Sequence, residues 1–211
     1  MASTPLGMTR RRALAVTALA LTLSHPGHRA TAQGTGAGPQ QVVVDLQDAL
    51  LEAMRAGDAW NFERRYDFLA AAVRDSHDLL RIARIAAGSA WRTMDTGQKR
   101  RFVQLFAELS VAAYADQFKS FSGQRFERLE NTVAGDQATV HTQLLPANGE
   151  PVSLDYVLQW DGDGWRIVNV VANGVSELAI RRSQFSAVAR REGIDALFDK
   201  LRESIDNYRT G

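Results

Sequence analysis

The chain lacks cysteine altogether and, beyond its first 33 residues, it lacks any long apolar run. The absence of cysteine excludes a disulfide scaffold, a thiolate zinc site, a cysteine nucleophile and an acylated lipoprotein N-terminus. Because no later run approaches the roughly 18 apolar residues of a transmembrane helix, a soluble mature chain is expected. Apolar residues still make up 45% of the 211 residues, which suffices for a globular core and excludes a disordered chain.

The first 33 residues contain no aspartate or glutamate, but they contain four arginines. Three of these, Arg10, Arg11 and Arg12, precede eleven nearly apolar residues, and Ala30-Thr31-Ala32 supplies the small residues of a cleavage site. Eleven residues at ~1.5 Å rise cannot cross a ~30 Å hydrocarbon core as a helix. We therefore predict a cleaved signal peptide over residues 1–32 and a periplasmic location. The arginines also fit a twin-arginine signal, so Sec and twin-arginine export both stay open.

Cleavage after Ala32 changes the charge balance. The whole chain has 25 basic and 24 acidic side chains, and loss of four arginines leaves a mature charge of 21 − 24 = −3. This mild acidity argues against a nucleic-acid partner, which requires a basic stripe. It also argues against strong adhesion to anionic lipid headgroups.

The hydrophobic period changes from about 3.6 to 2 residues along the mature chain. After a flexible leader at residues 33–41, the pattern predicts one domain over residues 42–208. Helices are expected first, at residues 42–57, 60–72, 77–91 and from Thr93 or Asp95 to about Phe118. Four strands follow, at residues 126–133, 138–144, 152–160 and 165–172, and two helices then flank Gly193, at residues 176–191 and 194–208. This order predicts an α+β fold, in which helices pack on a curved four-stranded antiparallel sheet and form an NTF2-like cone around an apolar pocket.

Few side chains of the mature chain favour catalysis. It has two histidines, His77 and His141, and no H-x-x-x-H, G-x-S-x-G, G-x-G-x-x-G or P-loop motif. We therefore predict no catalytic residue, no metal site and no cofactor. Both histidines are interpreted as structural, with His77 at a helix start and His141 within a strand. The alternative is a small cone-shaped enzyme that uses His141 as its base and Asp155 as the carboxylate partner.

Two arginine pairs lie in the penultimate predicted helix, Arg181-Arg182 and Arg190-Arg191. Their simplest interpretation is a solvated helix surface. The functional alternative is docking to an acidic partner surface or to lipid phosphate.

Four segments, in this order and spacing, resemble the MlaC (toluene-tolerance) family of periplasmic lipid-binding proteins. The first is Trp91-Arg92 with Gln98 and Phe102, which matches W-R-x-x-x-x-x-Q-x-x-x-F and continues through Phe106 and Ala113-Tyr114-Ala115. The others are residues 165–170 with Asn173-Gly174-Val175-Ser176, then residues 181–185 (R-R-S-Q-F), and finally residues 193–197 with Leu201. The resemblance covers about residues 42–201.

Residues 62–66, 121–126, 149–152 and 176–179 are most similar to the hopanoid-associated HpnM-type branch of that family. The chain departs from the general pattern at Ile180-Arg181-Arg182, where a tyrosine is usual before the arginine. This departure favours the branch, and it leaves open whether the lipid is a phospholipid or a hopanoid.

The resemblance implies a carrier with a hydrophobic pocket and no enzymatic activity. Such a carrier would shuttle lipid between an inner-membrane transporter complex and an outer-membrane lipoprotein/porin complex. On hydrophobicity alone, the expected pocket lining is the following set: Val152, Leu154, Tyr156, Leu158 and Trp160 on one strand, Val140 and Ile167 beside it, and Phe102, Phe106 and Leu109 on the opposite helix. The headgroup is expected near the mouth, with little headgroup selectivity and no effect of Arg181→Ala on loading. The third interpretation is a structural adaptor in which all of the apolar faces pack into the core and leave no pocket.

Overall fold

Polar side chains mark the starts of several N-terminal helices in the computed structural model, which describes residues 37–211. α1 (Pro39–Ala56) begins at a proline, inside the predicted leader, because proline is favoured in a first helical turn. α2 (Phe62–Ser76) and α3 (Leu79–Ala87) are capped by Asn61 and Asp78. The remaining helices of this half are α4 (Ala90–Thr93) and α5 (Thr96–Gln117). The predicted signal peptide lies outside the described residues.

The longest N-terminal helix, α5, starts at one of the two predicted caps. Asp95 Oδ1 accepts the backbone N–H of Gln98 at 2.8 Å, and the Gln98 side chain accepts the N–H of Asp95 at 3.0 Å. This reciprocal capping box satisfies two backbone donors that an α-helix leaves unpaired. Asp95 is therefore confirmed as the cap, and Thr93 belongs to α4.

The sheet has five antiparallel strands, so the prediction of four was wrong. The strands are β1 (Arg125–Ala134), β2 (Gln137–Leu145), β3 (Val152–Trp160), β4 (Trp165–Ala172) and β5 (Val175–Ser176), in sequential order across the sheet. β5 pairs with the end of β4 across Asn173 and Gly174, which both have positive φ. Positive φ at both central residues is the requirement of a tight hairpin turn. A strand of two residues is too short to produce an alternating pattern, so periodicity could not reveal it.

Two strands carry irregularities in their pairing. The register of β1 against β2 shifts between Arg128 and Asn131. The register of β4 against β3 passes from Asn169 to Ile167, so Val168 is the extra residue of a bulge.

The helices cover one face of the sheet through two hydrophobic clusters. The sheet cluster joins α1 and α2 to the inner face of the strands, where Val140, Leu158 and Ile167 are fully buried. The helical cluster joins α3 and α5 to the C-terminal helix α6 (Glu177–Thr210). Arg65, 8% exposed, donates its Nε–H to the carbonyl of Ala115 at 3.0 Å and so ties α2 to the last turn of α5.

α6 consists of two helical halves. Gly193 has φ 92° and ψ 179° and interrupts the helix where the sequence predicts a break between two helices. Residues 177–192 bury one large side chain, Phe185. Residues 194–210 bury four, Leu197, Phe198, Leu201 and Ile205, so the second half is the more firmly anchored to the core.

Candidate functional site: an apolar cavity with a charged mouth

A cavity of about 150 Å³ lies between the inner face of the sheet and three helices. Its walls come from α5, the first turns of α3 and α6, and strands β3 and β4. The apolar lining residues are Leu79, Ile82, Phe106, Ala113, Phe118, Leu154, Val168, Val170, Ala172 and Leu178. The polar or amphipathic ones are His77, Ser110, Tyr114, Gln117, Tyr156, Asn169, Glu177 and Arg181.

Strand alternation and one bulge explain how the sheet contributes to the cavity. Leu154 pairs with Ala172, and Tyr156 pairs with Val170, so these four side chains share the inner face. The bulge at Val168 breaks strict alternation, because Ile167 enters the sheet cluster while the next residue lines the cavity.

Three of the ten residues predicted to line the pocket do line this cavity: Phe106, Leu154 and Tyr156. Val140, Leu158 and Ile167 are instead fully buried in the sheet cluster, beneath Leu46 and Leu50 of α1. The cavity therefore occupies the part of the inner sheet face that α1 leaves uncovered.

The remaining predicted lining residues also lie outside the cavity wall. Phe102 and Leu109 are buried in the helical cluster, where the Phe102 ring meets that of Phe185 edge-on at 6.0 Å. Val152 and Trp160 are half-buried at the two ends of β3, and Trp160 packs against Trp165.

A buried hydrogen-bonded pair, His77 and Tyr114, forms part of the wall. Nδ1 of His77 lies 2.8 Å from the Ser76 hydroxyl and 3.1 Å from the carbonyl oxygen of Val73. The Ser76 hydroxyl donates its own proton to the Ala72 carbonyl at 2.6 Å, so both neighbours of Nδ1 are acceptors and Nδ1 carries the proton. Nε2 then accepts from the Tyr114 hydroxyl at 3.1 Å. Burial lowers the pKa of His77 to about 4, against the opposing effect of the Val73 hydrogen bond. The histidine is thus neutral near pH 7, and it follows the end of α2 rather than starting a helix.

The electrostatics of Tyr114 link this pair to the cavity mouth. Burial, followed by the neighbouring Tyr156, raises the pKa of Tyr114 well above its usual value. The positive charge of Arg181 lowers it, and the charge of Glu177 raises it. Both charged residues line the cavity, but neither was among the residues predicted to line the pocket.

The His141–Asp155 pair exists, but it lies on the other face of the sheet. The two residues are opposite each other on β2 and β3, with Nδ1 and Oδ1 2.8 Å apart. Both side chains are about one-third exposed. Because they alternate with Thr142, Leu154 and Tyr156, they point away from the cavity.

Two further observations concern the described part of the chain. Among residues 37–211, no three histidine, aspartate or glutamate side chains cluster closely enough to hold a metal ion. None of the helices in the same range combines the length and the apolar composition needed to cross a membrane.

Comparisons with known proteins find a family model, a curated relative and a solved structure that match this chain. A family model described as MlaC protein matches residues 44–203. The intermembrane phospholipid transport system binding protein MlaC of Haemophilus influenzae is 25% identical over 122 residues, which are 56% of this chain and 57% of that protein. This chain therefore matches little more than half the length of that relative.

A solved structure also resembles this chain. The phospholipid-binding protein from Ralstonia solanacearum, determined in complex with a phospholipid, superimposes with a TM-score of 0.71 at 22% identity. The match covers 82% of this chain and 99% of that one. At this level of identity, the similarity demonstrates a shared fold.

Proposed function

Because the MlaC family model matches residues 44–203, the chain belongs to the MlaC protein family, and we propose that it is a periplasmic lipid carrier. The observation that carries the proposal is the cavity between α5 and the inner sheet face, whose lining is mainly apolar. We assign to it the acyl part of a phospholipid. The names of the Haemophilus and Ralstonia proteins support this cargo. A hopanoid is the second candidate, because the departure at Ile180-Arg181-Arg182 and the segments that resemble the hopanoid-associated branch favour it.

The energetics of lipid transfer explain why a carrier needs such a cavity. Each buried methylene contributes about 0.8 kcal/mol, so release of an acyl chain into water is prohibitively slow. A carrier in the periplasm must therefore replace the bilayer with a protein wall that excludes water. In this proposal the chain moves lipid between an inner-membrane transporter complex and an outer-membrane lipoprotein/porin complex. The signal peptide at residues 1–32 and the NTF2-like cone are parts of the same proposal.

The size of the cavity requires its walls to move when lipid enters. Its volume of about 150 Å³ is comparable with engineered cavities that hold one benzene molecule. Pockets for drug-sized ligands have about 300–1,000 Å³. The first half of α6 is the wall best suited to move, since it buries only Phe185 and is separated from the anchored half by Gly193. Outward displacement of residues 177–192 would enlarge the cavity and withdraw Phe185 from the helical cluster, while the buried side chains of residues 194–210 keep the second half of α6 anchored.

The proposal is tested by Leu154→Asp, with Val133→Asp as its matched control. Leu154 lines the cavity, whereas Val133 is 58% exposed on β1. A carboxylate on the cavity wall disfavours acyl chains, because it would be buried without a partner. Native mass spectrometry of the purified proteins should detect lipid on the wild type and on Val133→Asp but none on Leu154→Asp.

A second variant addresses the same site without introducing charge. Ala172→Phe places an aromatic ring in the cavity and should also reduce lipid loading, while circular dichroism reports an intact fold. Retention of the wild-type amount of lipid by both cavity variants would show that the acyl chains bind elsewhere.

A further inference from the structure

Eight cations gather where α3, α4, α5 and the first half of α6 meet. They lie in residues 84–101 and 182–192, which contain only two carboxylates, Asp95 and Glu192. The seven arginines of this set are exposed, and its lysine is half-buried. We call the set the basic end, and its members are Arg84, Arg92, Lys99, Arg100, Arg101, Arg182, Arg190 and Arg191.

Contacts between α6 and the two short helices place the two segments side by side. Nε of Arg182 lies 3.7 Å from the position that a Cβ would take on Gly88, the residue that ends α3. Arg190 lines a cleft together with Ala90 and Thr93 of α4. The arginines of α6 therefore lie next to those of α3 and α4.

Two cations near the start of α5 contact the same group of helices. Nζ of Lys99 lies 5.8 Å from the centre of the Trp91 ring on α4. The guanidinium of Arg101 lies 5.0 Å from the centre of the Phe198 ring on α6. These contacts join the cations of α5 to the basic end.

The positive charge of the basic end is not neutralised locally. Among residues 37–211, no carboxylate forms an ion pair with any of its eight cations. Its formal charge is 8 − 2 = +6, so the other side chains of the described residues carry 13 − 22 = −9. The net charge of −3 argues against adhesion to anionic headgroups, but it averages two oppositely charged regions. A cationic surface still attracts an anionic one within a Debye length, about 8 Å at physiological salt.

We propose that the basic end docks the protein onto the surface of an anionic bilayer. Arginine suits such a surface, because its planar guanidinium offers two parallel N–H donors to a phosphate. The centre of a protein–protein interface is instead depleted of charge and enriched in aromatic side chains. Of the large apolar side chains that are exposed, only Ile85 lies in the two segments of the basic end. A layer of lipid phosphates therefore matches this surface better than an acidic protein does.

The docking surface is separate from the cavity. None of the eight cations is among the residues that line the cavity wall. Docking thus goes beyond the proposed carrier function, and it can be measured whether or not the cavity holds lipid.

Docking is tested by sedimentation of the purified protein with vesicles of two compositions. One contains phosphatidylcholine alone, and the other contains equal amounts of phosphatidylcholine and the anionic lipid phosphatidylglycerol. The protein should bind the mixed vesicles at low salt, and NaCl should release it because salt screens exposed charges. Equal binding to both compositions would overturn the proposal.

Two double variants remove cations from different helices of the basic end. Arg190→Gln/Arg191→Gln acts on α6, and Arg84→Gln/Arg92→Gln acts on α3 and α4. Each should weaken binding to the mixed vesicles by about 10- to 30-fold, since one cation near an anionic membrane contributes roughly fivefold. Wild-type binding by both variants, with folding verified by circular dichroism, would overturn the proposal.

The matched control removes the same charge from the edge of the sheet. Arg125 and Arg128 are exposed on β1 and form no ion pair within residues 37–211. Arg125→Gln/Arg128→Gln should retain wild-type binding. A control that loses as much binding as the two test variants would show that net charge, and not the basic end, determines adhesion.

Two further outcomes separate the bilayer from other occupants. Inorganic phosphate should release no more protein from the mixed vesicles than NaCl does at the same ionic strength. Stronger release by phosphate would identify a site for a single soluble phosphate and overturn the bilayer as the occupant. Absence of binding to the mixed vesicles would also overturn it and would leave an acidic protein as the partner. Lipid detected on that same protein by native mass spectrometry would show that the carrier function is unaffected.

Discussion

At the residue scale, His77 is a buried histidine whose pKa is strongly lowered by its surroundings. It is 8% exposed, its Nδ1 contacts the Ser76 hydroxyl and the Val73 carbonyl, and its Nε2 contacts the Tyr114 hydroxyl. Protonation of Nε2 would place a second N–H opposite the Tyr114 hydroxyl. It would also put a positive charge in a site that water does not reach. Folding therefore requires the neutral ring, and acid should destabilise the protein through this residue.

We predict that His77 makes stability fall between about pH 6.5 and pH 4. In this range the unfolded chain binds a proton, because its histidine has the ordinary pKa of 6.5, whereas the folded chain with a pKa of about 4 does not. The contribution is at most about 1.4 kcal/mol per pH unit. Urea unfolding at pH 7 and pH 5 should give a smaller pH difference for His77→Asn than for the wild type. An identical difference in both proteins would exclude His77 as the cause.

At the element scale, the first half of α6 forms part of the cavity wall, and its second half packs into the core. Its start is fixed by Asn169, whose Oδ1 accepts from the Ser176 hydroxyl at 3.0 Å and from the backbone of Leu178 at 3.3 Å. Its second half packs Leu197 and Phe198 into the helical cluster. Gly193 connects the two parts in a conformation that other residues rarely adopt.

We predict that Gly193→Ala destabilises the fold by about 1–3 kcal/mol, the cost of a non-glycine residue in this backbone region. No neighbouring atom lies within 4 Å of the added methyl group, so the cost arises from the backbone alone. The matched control is Gly38→Ala, since Gly38 has φ −65° and equally open surroundings. Urea unfolding should detect a loss for Gly193→Ala and a change below about 0.5 kcal/mol for Gly38→Ala. Equal stability of the two variants would show that the helix tolerates the substitution by relaxing.

The helices and strands also show which parts of the fold local sequence signals could predict. The change of period predicted the α+β order, and Asp95 and Gly193 identified a cap and a break, because such signals are local. Asn173-Gly174 is a strong hairpin signal that would have indicated β5. Leu154 lies in the cavity wall, whereas Leu158 lies in the core. This difference depends on where α1 crosses the sheet, and no local sequence pattern encodes that position.

At the scale of the whole molecule, lipid uptake should change the two halves of α6 differently. We predict that amides of residues 177–192 exchange faster than those of residues 194–210 in delipidated protein, since the first half buries fewer side chains. Lipid loading should slow exchange mainly in residues 177–192. Hydrogen exchange with mass spectrometry resolves the two segments, and the second half serves as an internal control. Protection confined to residues 194–210 on loading would contradict the proposed mobile wall.

The exposed edge of the sheet affects whether two copies of the protein can associate through it. Within the described residues, β1 forms one edge of the sheet, and its unpaired backbone groups are a template for another strand. The register shift between Arg128 and Asn131 bends this template, and exposed charges at Glu127, Arg128 and Glu130 flank it. Two copies brought edge to edge would therefore not find matching hydrogen-bond spacing along the whole of β1. The irregularity in β1 thus disfavours the pairing of two copies through this edge of the sheet.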